Sequence, residues 1–133
     1  SVLYIDLAGF KAINDAHGHR AGDAAIVYVA ELLETHIRLT DAVGRIGGDE
    51  FAVVLMKAGE GQARGKAVEL KDALRAAPLV YDGADLALAM SIGVYEARNG
   101  DTPERALMAA DEAMYADKNA SHKNAARGRL TAD

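Results

Sequence analysis

Two acids directly after two glycines, Gly47-Gly48-Asp49-Glu50, lie between apolar runs in this chain. Carboxylates held together at the rim of a sheet suit a hard, oxygen-seeking cation such as Mg²⁺, which takes one or two carboxylates plus substrate phosphates. The flanking Ala42-Val43 and Phe51-Ala52-Val53-Val54-Leu55 read as two strands joined by a tight turn, with Gly-Gly supplying the positive φ of a short hairpin. Glycine also lacks a Cβ, so a ligand can come close to the chain there. Taken alone, the stretch reads first as a plain exposed turn, and its meaning depends on its context. A further acid, Asp6, sits near the end of the apolar, β-rich run Ser1–Leu7. An acid in such a run is costly unless it reaches a partner or a metal.

The elements that must position these acids follow from periodicity. A short helix is expected over Ala8–Ala16, broken by His17-Gly18-His19-Arg20-Ala21-Gly22. A longer one follows over Asp23–Arg38, with Ile26, Val29, Ala30, Leu33 and Ile37 on one stripe and Asp23 as its N-cap. Strands at Asp41–Ile46 and Phe51–Lys57 flank the glycine turn, and Gly59-Glu60-Gly61 reads as a linker. A helix over Gln62–Ala77 ends at Pro78. Strands at Leu79–Tyr81 and Asp85–Ala97 surround the Asp82-Gly83 turn signal. Thr102-Pro103 opens a last helix reaching about Ala120, and the polar tail from Ser121 is expected to fray.

The order β-α-α-β-β-α-β-β-α contains β-α-β-β-α-β. The expected fold is therefore α+β with a ferredoxin-like, palm-type core: a mostly antiparallel central sheet flanked by helices, with an extra β-hairpin and a C-terminal helix. In that topology the first strand lies beside the central hairpin. Asp6 then approaches Asp49, and converging acids at a sheet edge suggest a metal site.

The 133 residues fit one domain, 50% of them hydrophobic and 26% charged. A net charge of −5 argues against broad binding to nucleic acid or anionic membranes. There is no cysteine, which removes disulfide and thiol chemistry and fits a cytoplasmic location. No run approaches the roughly 18 apolar residues of a membrane span. Ser1 already lies in a strand-like segment, which suggests a piece of a longer protein.

Several motifs in order give the chain a family likeness. They are Asp6-Leu7-Ala8-Gly9-Phe10-Lys11-Ala12-Ile13-Asn14-Asp15, Gly18-His19-Arg20-Ala21-Gly22-Asp23, Gly47-Gly48-Asp49-Glu50-Phe51, Ser91-Ile92-Gly93 and Ala113-Met114-Tyr115-Ala116-Asp117-Lys118. Over nearly its whole length the chain resembles the GGDEF family, the diguanylate cyclases of bacterial signalling, as a single GGDEF-like domain over residues 1–133. The resemblance implies condensation of two GTP molecules into cyclic di-GMP with release of pyrophosphate, one GTP on each of two domains meeting face to face as a homodimer. It implies Mg²⁺ or Mn²⁺ on Asp6, Asp49 and the Leu7 carbonyl, with Glu50 completing a catalytic pair with Asp49. Gly47 and Gly48 would let the nucleotide lie against the hairpin, Asn14 and Asp23 would recognise guanine, and Lys11 and Lys118 would meet the terminal phosphates. Arg38 and Asp41 stand at the spacing of the family's inhibitory site for the product, cyclic di-GMP. Sensory or phosphodiesterase domains elsewhere in the parent chain would fit the same family. The alternative reading is a GTP- or cyclic di-GMP-binding regulatory domain with little or no turnover.

Some positions depart from the family pattern. Ala8 stands where a second acid is usual, and Gly9 where a larger residue is common, which predicts a looser phosphate loop. Ser121-His122 replaces a Gly-Arg pair, so a phosphate-binding arginine is missing. The helical segment that precedes the first strand in the family, and helps close the guanine pocket, is absent from this sequence. Asp111, Glu112 and Asp117 read as a solvated helix face, and Met90, Met108 and Met114 as core filling.

Overall fold

The computed structural model describes the backbone of residues 1–131 and the side-chain surroundings of residues 1–123. Its sheet is organised around β1 (Val2–Ala8), a run apolar enough to be buried on both faces. β3 (Glu50–Val54) and β6 (Ala89–Tyr95) pair with β1 on either side, and β2 (Ala42–Arg45) pairs with β3. Every pairing is antiparallel, in the order β2-β3-β1-β6. This is the expected ferredoxin-like arrangement.

Side-chain alternation divides β1 between two cores. Leu3, Ile5 and Leu7 join Phe51, Val53, Met90 and Ile92 under α2 (His19–Thr35) and α3 (Glu60–Ala76). Val2 and Tyr4 face the other way, onto Ala106, Ala110 and Met114 of α4 (Pro103–Thr131). Helices therefore cover both faces of the sheet. Asp6, next in that alternation, lies on the α4 face.

The boundaries differ from the expected ones where glycine or packing overrides propensity. α1 (Phe10–His17) and α2 are separated by Gly18 alone, which adopts φ 88°. α2 therefore begins four residues before Asp23, which is not its N-cap. Ala21 of that extra turn is buried with Ala25, Ile13 and Leu86, and this packing recruits His19 and Arg20 into the helix. Glu60 and Gly61 form the first turn of α3 rather than a linker. The strand expected over Asp85–Ala97 is two: β5 (Ala84–Leu86) pairs with β4 (Leu79–Tyr81), and β6 begins at Ala89, opposite Ala8. β1 ends at Ala8, so the chain before Ala89 has no partner in the main sheet and peels away to the small one. α4 continues through Ser121 to Thr131, where fraying was expected.

Candidate active site

Asp6 and Glu50 are direct cross-strand partners, because β1 and β3 pair with Asp6 opposite Glu50. Asp49 follows at the turn, where its carbonyl accepts a 3.0 Å hydrogen bond from the Leu7 amide. One carboxylate oxygen from each of Asp6, Asp49 and Glu50 lies within 4.8 Å of the others. The topological argument for bringing Asp6 to the hairpin turn therefore holds.

Electrostatics at this corner are those of crowded acids with too little counter-charge. Burial, followed by the neighbouring charge of Asp6, holds the Asp49 carboxyl above its usual range. Asp6 is 9% exposed and takes a 3.0 Å ion pair from Lys118 Nζ of α4. That hydrogen bond, and then the charge of Asp6, raises the Lys118 pKa. The donor set is all oxygen and half-buried, and it carries more negative charge than one lysine neutralises. These are the features that fit Mg²⁺ or Mn²⁺ and not a soft metal.

The Gly-Gly turn is shaped differently from expectation. Neither Gly47 nor Gly48 has positive φ; the glycines that do are Gly9, Gly18, Gly83 and Gly100. The turn closes through Ile46 N–H and Gly47 N–H, both donating to the Glu50 carbonyl at 2.8 and 3.4 Å. Arg45 holds it from outside, with Nε on the Gly47 carbonyl at 3.0 Å and Nη2 on the Gly48 carbonyl at 2.7 Å. What the glycines contribute is space. A Cβ on Gly48 would meet nothing within 4 Å, so a ligand can approach this backbone. Gly9 behaves in the opposite way. It adopts φ 95°, and a Cβ there would lie 2.5 Å from the Ala87 carbonyl oxygen. The junction between β1 and α1 requires glycine and is tightly packed, contrary to the expected loosening.

Asn14 packs its amide against Gly22, where a Cβ would overlap it. Its Oδ1 is buried without a hydrogen-bond partner. A buried unpaired acceptor is costly, and a ligand N–H is the kind of group that would satisfy it. Asp23, exposed, follows Gly22 directly, so the two expected base-recognising residues lie on adjoining helices. Lys11 is exposed in the first turn of α1.

Arg38 and Asp41 form a compact clasp just after the end of α2 at Thr35. The Asp41 side chain is 1% exposed and that of Arg38 60%. Asp41 accepts from Arg38 N and Met56 N at 2.9 Å, and from Arg38 Nε at 3.2 Å. A cavity of about 260 Å³ opens beside them, bounded by Leu55, Ala58, Gln62 and Lys66.

Two site features escaped the sequence reading. Tyr4 donates its hydroxyl to Glu50 Oε2 at 2.7 Å, and burial, then that hydrogen bond, push its pKa far above the usual phenol range. In sequence it was one more apolar β residue. Asp117 does not lie on a solvated face: it accepts from Lys71 Nζ at 2.6 Å and from Ile92 N at 2.9 Å, satisfying an amide on the outer edge of β6. Met108 is exposed, unlike the buried Met90 and Met114. Ser121 and His122 lie with Ala8, Arg75 and Ser91 around a cavity of about 290 Å³.

The fold and the sequence both match known proteins. The family described as "Diguanylate cyclase, GGDEF domain" matches residues 1–124, and the chain belongs to that family. The diguanylate cyclase DosC of Escherichia coli strain K12 is 38% identical over 116 residues, 86% of this chain and 25% of DosC. The chain thus spans about a quarter of DosC's length. A sensory box/GGDEF family protein from Caulobacter crescentus superposes with a TM-score of 0.80 at 41% identity, over 90% of this chain and 78% of its own. The GGDEF domain of DgcB from Caulobacter crescentus, solved in complex with c-di-GMP, superposes with a TM-score of 0.84 at 28% identity, over 90% of this chain and 71% of its own.

Proposed function

We propose that this domain condenses two GTP molecules into cyclic di-GMP and pyrophosphate at a site shared between two copies of the domain. The observation that carries the proposal is the convergence of Asp6, Asp49 and Glu50 within 4.8 Å beside Lys118. In a GGDEF domain, three retained acids at this corner point to turnover rather than to scaffolding.

Asp6, Asp49 and the Leu7 carbonyl would hold Mg²⁺ or Mn²⁺, with Glu50 completing the acidic set. The bound cation would offset the phosphate charge and act as a Lewis acid in phosphoryl transfer. Asn14 and Asp23 grip guanine: a carboxylate accepts from its N–H edge, and an amide both donates and accepts. Lys11 and Lys118 meet the terminal phosphates as point charges. Gly48 leaves the hairpin backbone open to the nucleotide. The 3′-hydroxyl of each GTP attacks the α-phosphorus of the other and expels pyrophosphate, and Asp49, or another base beside it, would accept the proton. Most of the acceleration comes from holding the two substrates in line. A lone domain is therefore nearly inactive, and a homodimer is the working unit.

Product inhibition belongs to the same proposal. Arg38 presents an exposed guanidinium, fixed by Asp41, beside a cavity whose lining does not include the Gly-Gly turn. Cyclic di-GMP bound there would lock domains in a pairing whose GTP sites do not face each other.

A second reading is a GTP- or cyclic di-GMP-binding regulatory domain. It is favoured by Ser121-His122, which stand where the family pattern has a Gly-Arg pair, so that a phosphate-binding arginine is missing. Incubation of the protein with GTP and Mg²⁺, with chromatographic detection of cyclic di-GMP, separates the two. GTP binding without cyclic di-GMP would establish the regulatory reading. Among the described residues, no helix is long and apolar enough to cross a membrane. Sensory or phosphodiesterase domains in the parent chain remain part of the proposal; one relative, MucR of Pseudomonas aeruginosa, is named a bifunctional diguanylate cyclase/cyclic di-GMP phosphodiesterase.

A further inference from the structure

We infer that Tyr4 is a positioning residue for the metal site, holding Glu50 through its phenol so that one carboxylate oxygen stays turned toward Asp6 and Asp49. The inference rests on the metal reading above.

The arrangement begins with register. Tyr4 and Asp6 lie on the same face of β1, two residues apart. Tyr4 is paired with Ala52 on β3, and Glu50 is the diagonal neighbour of that pair. Diagonal neighbours lie within reach of an aromatic side chain. Ala52 offers only a methyl, so the phenol has room to cross toward Glu50. The hydroxyl ends 2.7 Å from Glu50 Oε2. The ring cannot easily swing away, because it is 8% exposed and packed in one cluster with Ala106, Ala110 and Met114 of α4.

The chemistry of the pair follows. A glutamate carries more rotatable bonds than an aspartate and must lose that freedom to ligate. A phenol donating to Oε2 removes much of it in advance. The same bond polarises the carboxylate as an outer partner polarises a metal ligand. Asp6 is fixed differently, by its ion pair with Lys118. Glu50 therefore depends on Tyr4 for its orientation in a way Asp6 does not.

Tyr4→Phe keeps the ring and its packing and deletes only the donor. The test titrates Mn²⁺, followed by electron paramagnetic resonance, into the protein saturated with a non-hydrolysable GTP analogue. Thermal unfolding is recorded in parallel. Four proteins are compared: wild type, Tyr4→Phe, Glu50→Ala and the double variant. Tyr4→Phe is expected to weaken Mn²⁺ binding about tenfold, the low end for loss of a partner behind a ligand, with an unchanged melting temperature. In the Glu50→Ala background the same change should have no further effect. Affinity within twofold of wild type for Tyr4→Phe, or an equal loss in both backgrounds, would overturn the inference. Wild type that bound no Mn²⁺ would overturn it together with the metal reading. Wild type that bound Mn²⁺ without making cyclic di-GMP would overturn the cyclase reading alone.

Discussion

Asp41 and Arg38 touch each other, yet their removal should have opposite consequences. The Asp41 carboxylate is almost fully buried at the side chain and takes the amides of Arg38 and Met56, both at 2.9 Å. It thereby pins the segment after α2 to the chain leaving β3. Asp41→Ala removes the acceptor of two hydrogen bonds from exposed residues, each with a net worth of about 0.5–1.5 kcal/mol. The expected loss of stability is about 1–3 kcal/mol, or on the order of 5–10 °C in melting temperature for a domain of this size. Arg38→Ala removes a guanidinium that is 60% exposed, and exposed ion pairs contribute about 0–1 kcal/mol. Acid titration gives an independent check. Burial alone would raise the Asp41 pKa, but the Met56 and Arg38 amides and the guanidinium outweigh it, and the value is lowered. A carboxyl with a lowered folded pKa contributes its full stability above the unfolded value of about 3.9 and loses it as pH falls through the folded value. The stability gap between wild type and Asp41→Ala, measured by urea unfolding, should be flat from about pH 7 to 5 and shrink below about 4. Calorimetric titration of cyclic di-GMP completes the contrast: Arg38→Ala, though folded normally, should lose about 1.5–3 kcal/mol of affinity, the range for a hydrogen bond to a charged group. Equal destabilisation by the two substitutions, or a gap that persists unchanged to about pH 3, would refute the division of labour. Equal cyclic di-GMP affinities would reduce Arg38 to a surface ion-pair partner.

Three other substitutions test the site from different directions. Asp49→Asn removes a like charge beside Asp6 and should leave the melting temperature unchanged or slightly higher, while cyclic di-GMP synthesis falls at least about 100-fold; activity within about threefold of wild type would remove Asp49 from the metal site. Asp23→Asn replaces an acceptor with a mixed donor and acceptor and should narrow the preference for GTP over ATP in competition binding; unchanged affinities for both would leave Asp23 as an exposed helix residue. Gly9→Ala places a methyl at φ 95° and 2.5 Å from the Ala87 carbonyl, so it should cost at least about 1–3 kcal/mol in unfolding experiments; a neutral result would mean that the turn into α1 relaxes freely.

The sequence was most readable where one residue type has one job. The apolar, buried run of β1, the Asp82-Gly83 turn of β4 and β5, and the proline at the start of α4 were all visible beforehand. The meeting of Asp6 with Asp49 followed from topology. The obscure features depend on what lies across space. Gly18 alone could not be singled out from its glycine-rich surroundings, because the extension of α2 depends on Ala21 and Ala25 packing against Ile13 and Leu86. The break before β6 depends on where β1 runs out of partners. Tyr4 gave no signal, since its hydroxyl finds Glu50 46 residues away. Asp117 looked solvated because its partners, Lys71 and Ile92, lie on α3 and β6.

One link joins the core to the acidic corner. Gly93 in β6 lies so close to α4 that a Cβ there would overlap the Ala110 carbonyl and the Met114 backbone. The missing side chain lets the helix lie directly on the sheet, with Ala110 and Met114 buried against Val2 and Tyr4. Lys118 follows Met114 by four residues, on the same helical face. The close approach therefore sets how far Lys118 extends over β1, and its Nζ reaches Asp6 at 3.0 Å, across 112 residues of sequence. The same face holds the Tyr4 ring against Glu50. Two of the three acids thus receive their partners from one surface, the contact of α4 with β1 and β6. A larger residue at position 93 would act on the site without touching it, by lifting Lys118 from Asp6 and loosening Tyr4 behind Glu50. This places Gly93 of the Ser91-Ile92-Gly93 motif among the residues that build the site, although its cross-strand partner is Tyr4 and not one of the three acids.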